Sequence, residues 1–405
     1  MNHNEQSFTK DIIDVFLKEP TEDNMDNLIQ SAEKDSFSDD DIFALANGLA
    51  HSGQVFNFQN SPFQLADIPS TGGPGSLSTL LCPLFLVHFG QRVLKLGVPG
   101  RPAGGIDVLC QIKNYNITPS QQQIEELIQT NRYVHFIASE KYAPLDAKLF
   151  AYRKIRNAVD SPPLVIASLL AKKIAVGLSA VGLDVRVSKF GNFGKNWNES
   201  RAHASRFNKI AALAGLKSKC FLTNGDLPQQ NYIGRGESML ALSKIFSDSA
   251  GHILTKHYSQ CLSMALSISG KTNLVNPSVV DLRRIFIDNV IAQGGEIDTF
   301  WQKADNTEKD HIYELYAKEE GFLNINIHLI RDAIVEINSL KNGDLFPDHC
   351  GIILIKSTGD YLSKGEIICT YRCFEPSRLN FLNKIEKAFS ILRLLQNTNE
   401  FEEVL

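Results

Sequence analysis

The stretch DAKLFAYRKIRNAVDSPPLVIASLLAKKIAVG, residues 146–177, contains two helical patterns of apolar residues with a break between them. The break is the segment Ser161–Pro163. Because serine is favourable just before a helix and proline fits the first helical turn, a second helix is predicted to begin there. On that helix Ser168 and Lys172 are four residues apart and share one face. Taken alone, such a polar face is more typical of a solvent-exposed helix than of a binding site.

A glycine-rich loop lies upstream, with the sequence DIPSTGGPGSLST at residues 67–79. Its glycines Gly72, Gly73 and Gly75 are interspersed with serine and threonine residues. Glycine accepts positive φ and leaves backbone N–H groups uncovered, so such a loop can surround an anion. The stretch contains no lysine, arginine or histidine, and a plain structural turn explains the pattern equally well. The loop is therefore a candidate anion site without a local cation.

The remaining sequence alternates between helical and strand patterns, which predicts an α/β fold with a separate small helical domain. The segment GIILIKSTGDYLSKGEIICTY predicts two β segments around a Gly-Asp turn, followed by a helix over 375–395. The predicted boundaries are a helical domain from 1–62 and 146–178, an α/β domain from 63–145 and 179–325, and a carboxy-terminal α/β subdomain from 326–405.

Composition argues against several classes of function. The formal charge of -4 gives the 405-residue chain no general attraction to nucleic acid or to an anionic membrane. Seven cysteines without a C-x-x-C pair are typical of reduced thiols, and the histidines lack metal-ligand spacing. We therefore predict no metal and no cofactor. The amino-terminal residues lack an apolar signal core and no apolar run is long enough to span a bilayer, which predicts a cytoplasmic protein.

Four segments occur in an order that matches a known enzyme family. They are the loop at 68–78, AYRKIRNAVDSPPLVIASLLAKK at 151–173, PQQNYIGRGESMLA at 228–241 and GDYLSKGEIICTY at 359–371. Together they resemble the phosphate loop, the base-binding segment, the Ile-Gly-Asn-x-x-Glu motif and the Gly-Asp-x-x-x-Lys-Gly-Glu turn of class II pyrimidine-nucleoside phosphorylases. The resemblance implies a thymidine phosphorylase-like fold, in which a cleft separates a helical domain from an α/β domain, usually in a homodimer.

The resemblance also implies roles for individual residues. Arg153, Ser168 and Lys172 match the residues that hold the pyrimidine, and Arg153 and Lys172 are the implied catalytic groups. Two cations suit this role because they stabilise the negative charge of a departing base. The implied phosphate or acceptor loop consists of Ser70, Thr71, Gly72, Gly73 and Ser78.

The sequence departs from the family at the phosphate end. Ile68 and Pro69 stand where the family has lysine and histidine, an Asp-Lys pair of the loop is lost, and Ile106 stands where a hydroxyl is expected. Each lost charge-assisted contact to phosphate removes about 1.5 to 3 kcal/mol of binding. Arg101 and Arg235 are the candidate replacement contacts for an anion.

These observations predict a pentosyltransferase that acts at the bond between C1′ and a pyrimidine, with phosphate or another acceptor. Its implied partners are a pyrimidine nucleoside or base, the acceptor and a second copy of the chain. Two alternatives remain open. One is a transferase that uses a phosphorylated sugar, and the other is a catalytically silent pyrimidine-binding protein.

Overall fold

The structure is a computed structural model. It describes residues 3–34, 37–58, 61–100, 102, 104–137, 140–270, 275–339, 345–394 and 402–405. The described chain has a mixed α/β fold, as the sequence predicts. None of the described helices is long and apolar enough to cross a membrane.

The helices occur throughout the chain and are numbered in order. They are α1 (His3–Lys18), α2 (Glu22–Glu33), α3 (Asp39–Ala50), α4 (Ser78–His88), α5 (Gly105–Leu109), α6 (Gln121–Thr130), α7 (Pro144–Ile155), α8 (Pro162–Ala175), α9 (Trp197–Leu213), α10 (Arg235–Phe246), α11 (His252–Ser269), α12 (Val279–Ala292), α13 (Ile297–Asp310), α14 (Ile327–Ser339) and α15 (Arg378–Ile385).

The strands are mostly short. They are β1 (Ala66–Asp67), β2 (Val93–Gly97), β3 (Tyr133–Ile137), β4 (Ala180–Val187), β5 (Lys217–Asn224), β6 (Tyr232–Ile233), β7 (Tyr313–Tyr316), β8 (Gly321–Ile325), β9 (Cys350–Leu354), β10 (Tyr361–Leu362), β11 (Ile367–Cys373), β12 (Phe389–Leu392) and β13 (Glu402–Val404).

The central sheet has the order β1-β4-β5-β13, in which β1, β4 and β5 are parallel and β13 is antiparallel to β5. A parallel bridge between Leu65 and Arg92 links its β1 edge to the parallel pair β2-β3. Successive side chains of a strand point to opposite faces. On β4, Leu183 and Val185 accordingly enter one apolar cluster, whereas Asp184 and Arg186 contact the glycine-rich loop on the other face.

The first apolar cluster joins α1, α2, α3 and α8 to the β4-β5 layer and to α9. The described amino-terminal residues form α1, α2 and α3, which agrees with the helical pattern predicted for this part of the chain. Helix α3 begins with a capping box, in which the Asp41 N–H donates to the Ser38 hydroxyl and the Ser38 N–H donates to the Asp41 carboxylate. Because the cluster is continuous, α8 is fixed against both the helical segment and the sheet that carries the glycine-rich loop.

Two further clusters complete the core. One lies around α4, α10, α11, α12 and α13 on the other face of the central sheet. The other fills the carboxy-terminal part, where the antiparallel sheets β10-β8-β12 and β6-β9-β11-β7 pack with α14 and α15. The domain boundaries given above stay predictions.

The carboxy-terminal expectations were partly wrong. The helix predicted over 375–395 is shortened to α15, because residues 389–392 instead pair with β8 as β12. The two β segments predicted on either side of the Gly-Asp turn are present as β9 and β11, and they pair antiparallel. The two-residue strand β10 between them pairs with β8 instead.

Ser161 lies at the N-cap position of α8, with Pro162 at the first helical position, as the sequence predicts. Its hydroxyl makes no capping hydrogen bond. The start of α8 is therefore fixed by proline geometry and by burial of its apolar face rather than by the serine side chain.

Candidate functional site

A cavity of about 330 Å³ lies between the glycine-rich loop and helices α7 and α8. Strands β2 and β3 contribute Lys95 and His135 to its wall, and α14 contributes Arg331. The residues predicted from the sequence that line this cavity are Ser70, Thr71, Gly72, Gly73, Ser78, Arg153, Ser168 and Lys172. The predicted loop residues and the predicted base-binding residues of α7 and α8 therefore line the same cavity, although they lie about 80 to 100 residues apart along the chain.

The Lys172 side chain forms the polar centre of the α8 wall. Its ammonium donates to Asp146 Oδ2 at 2.5 Å and to Ser168 Oγ at 2.9 Å. An ammonium has three donors, so one remains for a ligand. Asp146 belongs to the first turn of α7, so this contact also ties the two helices together.

Arg153 is almost fully buried in the last turn of α7. Its Nε donates to the carbonyl oxygen of Ala158 at 2.9 Å and its Nη2 to that of Val159 at 2.8 Å. Burial lowers the pKa of Arg153 to about 10, against the opposing charges of Asp146 and Asp160. The guanidinium therefore stays positively charged at neutral pH and anchors the α7-α8 connection.

The glycine-rich loop follows β1 and is held to β4 by backbone hydrogen bonds. The Thr71 N–H donates to the Asp184 carbonyl oxygen and the Asp184 N–H donates to the Pro69 carbonyl oxygen, each at 2.9 Å. Gly72 and Gly73 have φ of +123° and +126°, which L side chains rarely adopt. The Ser70 hydroxyl accepts the Gly72 N–H at 3.2 Å, so it helps to fix this turn.

The Ser78 side chain is fully buried. Its Oγ donates to Asp184 Oδ2 at 2.6 Å and accepts from Ser76 Oγ at 3.1 Å. Arg186 Nη2 donates to both Asp184 Oδ2 and Ser76 Oγ at 2.8 Å. The hydroxyl proton of Ser78 is therefore directed at a carboxylate, which leaves Ser78 a structural contact of the loop in this conformation.

Beneath the start of the loop, Asp67 is held between two lysines. Lys95 Nζ donates to Asp67 Oδ1 and Lys173 Nζ to Asp67 Oδ2, each at 2.6 Å. Lys95 Nζ also donates to the Ile68 carbonyl oxygen at 3.1 Å. Burial alone would raise the pKa of Asp67, but Lys173 and Lys95 hold it well below its ordinary range. All three side chains line the cavity.

His135 forms the neighbouring part of the wall. Its Nδ1 lies 3.1 Å from the Tyr133 hydroxyl, and its pKa is lowered well below the ordinary value, chiefly by burial and then by the nearby charge of Lys95. The imidazole is therefore neutral at physiological pH. Ile106 also lines the cavity, and an apolar side chain stands there in place of the hydroxyl expected from the family.

The sequence analysis suggested Arg101 and Arg235 as replacement contacts for an anion, and the described structure places only Arg235. Arg235 is buried against Asp107 Oδ1 at 2.9 Å and also contacts the Pro347 carbonyl oxygen, and it does not line the cavity. Its Cα lies at the start of α10, and the guanidinium fixes that helix to α5 and to residue 347. Arg101 lies outside the described residues.

The sequence interpretation missed five charged residues of the cavity wall, namely Asp67, Lys95, Asp146, Lys173 and Arg331. Lys95 carries a recognisable signal, because a lysine inside the apolar strand RVLKL requires a buried partner. Arg331 carries none. It reaches the cavity because Ile327, four residues earlier on α14, packs beside Gly75 of the loop.

Sequence comparison finds named proteins that align with most of this chain. A pyrimidine-nucleoside phosphorylase from Staphylococcus epidermidis is 23% identical over 410 residues, which is 95% of this chain and 93% of the relative. The chain is a distant homologue of the pyrimidine-nucleoside phosphorylases. The enzyme of that name from Geobacillus stearothermophilus is 24% identical over 350 residues, covering 82% of this chain and 80% of its own. The resemblance inferred from the four motifs is confirmed.

No family model matches the chain. Among solved structures, anthranilate phosphoribosyltransferase from Thermus thermophilus has a TM-score of 0.47 at 14% identity, over 73% of this chain and 98% of that one. The enzyme from Saccharomyces cerevisiae in complex with PRPP and Mg has a TM-score of 0.44 at 13% identity, over 74% and 93% of the two chains.

Proposed function

We propose that this protein is a pentosyltransferase that acts at the bond between C1′ of a nucleoside and its pyrimidine, with an acceptor site different from that of its relatives. The observation that carries the proposal is that Arg153, Ser168 and Lys172 line one side of a cavity and the glycine-rich loop lines the other side of the same cavity. The homology to pyrimidine-nucleoside phosphorylases supports the same assignment.

The α8 wall suits a pyrimidine because it offers both donors and an acceptor. The Ser168 hydroxyl can accept the base N3–H, and the free donor of Lys172 can reach a ring carbonyl oxygen. When the bond from C1′ breaks, the bonding electron pair leaves with the base. The positive charges of Lys172 and Arg153 then stabilise the departing anion, which lowers the barrier because this interaction is stronger in the transition state.

The glycine-rich loop would bind the acceptor on the opposite side of the sugar. Its exposed backbone and the turn at Gly72 and Gly73 permit a close approach, but the loop itself brings no charged side chain from residues 68 to 79. In the first form of the proposal the acceptor is phosphate. In the alternative form the enzyme transfers the pentose of a phosphorylated sugar.

The same proposal includes a cytoplasmic location, a homodimer and a cleft that closes between the domains.

The test is cleavage of uridine and thymidine by the purified chain with phosphate, with pyrophosphate and without added acceptor. We expect release of the free base by the unaltered protein with at least one acceptor. We expect little stimulation by phosphate at concentrations that saturate ordinary phosphorylases, because Ile68 and Pro69 remove two phosphate contacts.

The matched variants are Lys172→Met, which removes the base contact, and Lys148→Met, an exposed lysine on the neighbouring helix. Base release that persists in Lys172→Met at the unaltered rate argues against the proposed site. Efficient phosphate-dependent turnover, in the range of about 1 to 1000 per second typical of enzymes, would show that the lost loop residues are dispensable.

A further inference from the structure

A second cavity, of about 210 Å³, lies between the central sheet, α11 and the carboxy-terminal sheets. Its walls are the carboxyl end of β5, the connection 227–231, one face of α11 and the segment that follows β9. The residues that line it and the residues that line the cavity at α7 and α8, here called the first cavity, are different. Ligands of α/β proteins commonly bind at the carboxyl ends of parallel strands, and β5 is parallel to β4. The second cavity is therefore a separate candidate binding site.

The lining of the second cavity combines basic side chains with carboxamides. Among its described lining residues none is acidic, whereas Lys256 and Lys356 are basic. Lys356 Nζ donates to Glu366 Oε1 at 3.2 Å, which uses one of its three donors. The carboxamides belong to Asn224, Gln229, Gln230, Asn231 and Gln260.

This lining indicates the chemistry of a ligand. Ammonium groups form strong, charge-assisted hydrogen bonds with phosphate, and carboxamides both donate to and accept from hydroxyl groups. The volume is smaller than the range of about 300 to 1,000 Å³ that is usual for pockets with drug-sized ligands. A small sugar phosphate has both kinds of polar group and a matching size.

The wall of the second cavity contacts the glycine-rich loop directly at Gly75. The Gln229 N–H and the Gln230 N–H donate to the Gly75 carbonyl oxygen at 3.1 Å and 3.2 Å. Both glutamines line the second cavity. A change in the position of this wall would therefore move the backbone of the loop.

A second connection runs through α11. Gln260 lines the second cavity, and its Oε1 lies 3.2 Å from His257 Nδ1. The opposite ring nitrogen, Nε2, accepts the Leu77 N–H at 2.8 Å. The imidazole thus links the cavity wall to the end of the loop.

A third connection starts at β5. Thr223 lines the second cavity, and its Oγ1 accepts from Arg186 Nη1 at 3.0 Å. The other terminal nitrogen of the same guanidinium, Nη2, donates to Ser76 Oγ at 2.8 Å. The wall of the second cavity is therefore connected to three successive residues of the loop, 75, 76 and 77, which leads from the second cavity to the first.

We propose that the second cavity is an effector site for a small sugar phosphate, and that a ligand bound there acts on the glycine-rich loop through residues 75–77. Lys256 and Lys356 bind the phosphate, and the carboxamides bind the sugar hydroxyls. The coupling is reciprocal, so a ligand that orders the loop from the first cavity also changes affinity at the second. Binding at the second cavity does not depend on the reaction proposed above.

The first test is calorimetry with ribose 5-phosphate at constant ionic strength. Lys256→Met and Lys356→Met should each raise the dissociation constant about 10-fold, because each removes a charge-assisted hydrogen bond. Both variants should fold, since Lys256 is exposed and Lys356 is only partly buried. Two controls should bind as the unaltered chain does. They are Lys113→Met, at an exposed lysine paired with Glu296, and Lys172→Met, in the first cavity.

Hydrogen exchange of the backbone amides tests the coupling to the loop. Saturating ribose 5-phosphate should slow exchange in residues 70–79 and leave exchange in α2 unchanged, because no residue of α2 lines either cavity. Lys356→Met should need a correspondingly higher concentration for the same protection. These measurements do not use nucleoside cleavage, so they give a result whether or not the chain has the proposed activity.

Four results would overturn the inference. They are no saturable binding of ribose 5-phosphate, equal binding by both lysine variants and the unaltered chain, loss of binding in Lys172→Met alone, and unchanged exchange of the loop at saturation. Ribose and inorganic phosphate are titrated as well, and each should bind more weakly than ribose 5-phosphate. Equal affinity for either one would contradict the assignment of the ligand as a sugar phosphate.

Discussion

Single residues in the cavity carry two functions at once, because the groups that would bind a ligand also hold the helices together. Lys172 is the clearest case, since it links Asp146 of α7 to Ser168 of α8. Removal of a residue of this kind alters ligand binding and stability together. Experiments on such positions therefore need both measurements.

Lys172→Ala should weaken binding of uracil, thymine and their nucleosides by about 1.5 to 3 kcal/mol, the contribution of a hydrogen bond to a charged group. It should also lower the free energy of unfolding, because Asp146 stays buried without its ammonium partner. Calorimetry gives the first quantity and chemical denaturation the second. Lys148→Ala, on the exposed side of α7, should change neither. Equal binding by Lys172→Ala and the unaltered chain would contradict the pyrimidine assignment.

The four-residue spacing of Ser168 and Lys172 predicts only that they share one helix face, and the glycines of the loop predict only a turn that could surround an anion. The roles assigned to these residues come from the family resemblance and stay predictions. Sequence reasoning could not show that Ser78 donates to Asp184, more than a hundred residues away, or that Asp67 holds both Lys95 and Lys173. Those contacts depend on which strands are neighbours, and local patterns do not contain that information.

At the level of elements, the glycine-rich loop is held between β4 and α11. The Leu77 N–H at its end donates to His257 Nε2 at 2.8 Å, so the imidazole must keep that nitrogen unprotonated. Burial, followed by the charge of Arg186, lowers the pKa of His257 to about 4, while Gln260 and Asp184 act in the opposite direction. Protonation of His257 would remove the acceptor that anchors the loop.

The folded chain should therefore lose stability on acidification between pH 6.5 and pH 4, where the unfolded histidine binds a proton and the folded one does not. At pH 5 the contribution of His257 to this loss is about 2 kcal/mol. His135 adds a loss of the same sign because its pKa is also lowered. In His257→Gln the difference in unfolding free energy between pH 7 and pH 5 should shrink by the His257 contribution. Denaturation curves at the two pH values measure it.

His252→Gln is the control for this experiment, because His252 lies on the same helix and is exposed. It should keep the full pH dependence of the unaltered chain. A His257→Gln variant with the same pH dependence as the unaltered chain would show that the histidine is not held neutral by the fold.

The carboxy-terminal elements show where prediction from local sequence fails. The sequence pattern of residues 389–392 predicts a helix, but these residues pair with β8 as β12.

At the scale of the whole molecule, the cavity collects residues from all three parts of the core. The loop and the β2-β3 pair form its floor, α7 and α8 form one wall, and Arg331 of α14 approaches from the carboxy-terminal part. Chemistry requires the base contacts and the acceptor contacts to reach one nucleoside together. We therefore expect the wall formed by α7 and α8 to move toward the loop when both ligands are bound.

Small-angle scattering measures this movement. The radius of gyration of the chain should fall on addition of a pyrimidine nucleoside together with the anion that it binds, and less with either ligand alone. The Lys172→Met variant should show no compaction with the nucleoside. Superimposable scattering curves with and without saturating ligands would show that the cavity is already in its working shape.

The central claim is that one cavity binds a pyrimidine at α8 and an acceptor at the glycine-rich loop. A crystal structure of the chain grown with uridine and phosphate or pyrophosphate tests it most directly. The account predicts the base within hydrogen-bond distance of Ser168 and Lys172, and the anion in contact with the glycine-rich loop. A cavity that stays empty at saturating ligand, or a nucleoside bound elsewhere on the molecule, would contradict it.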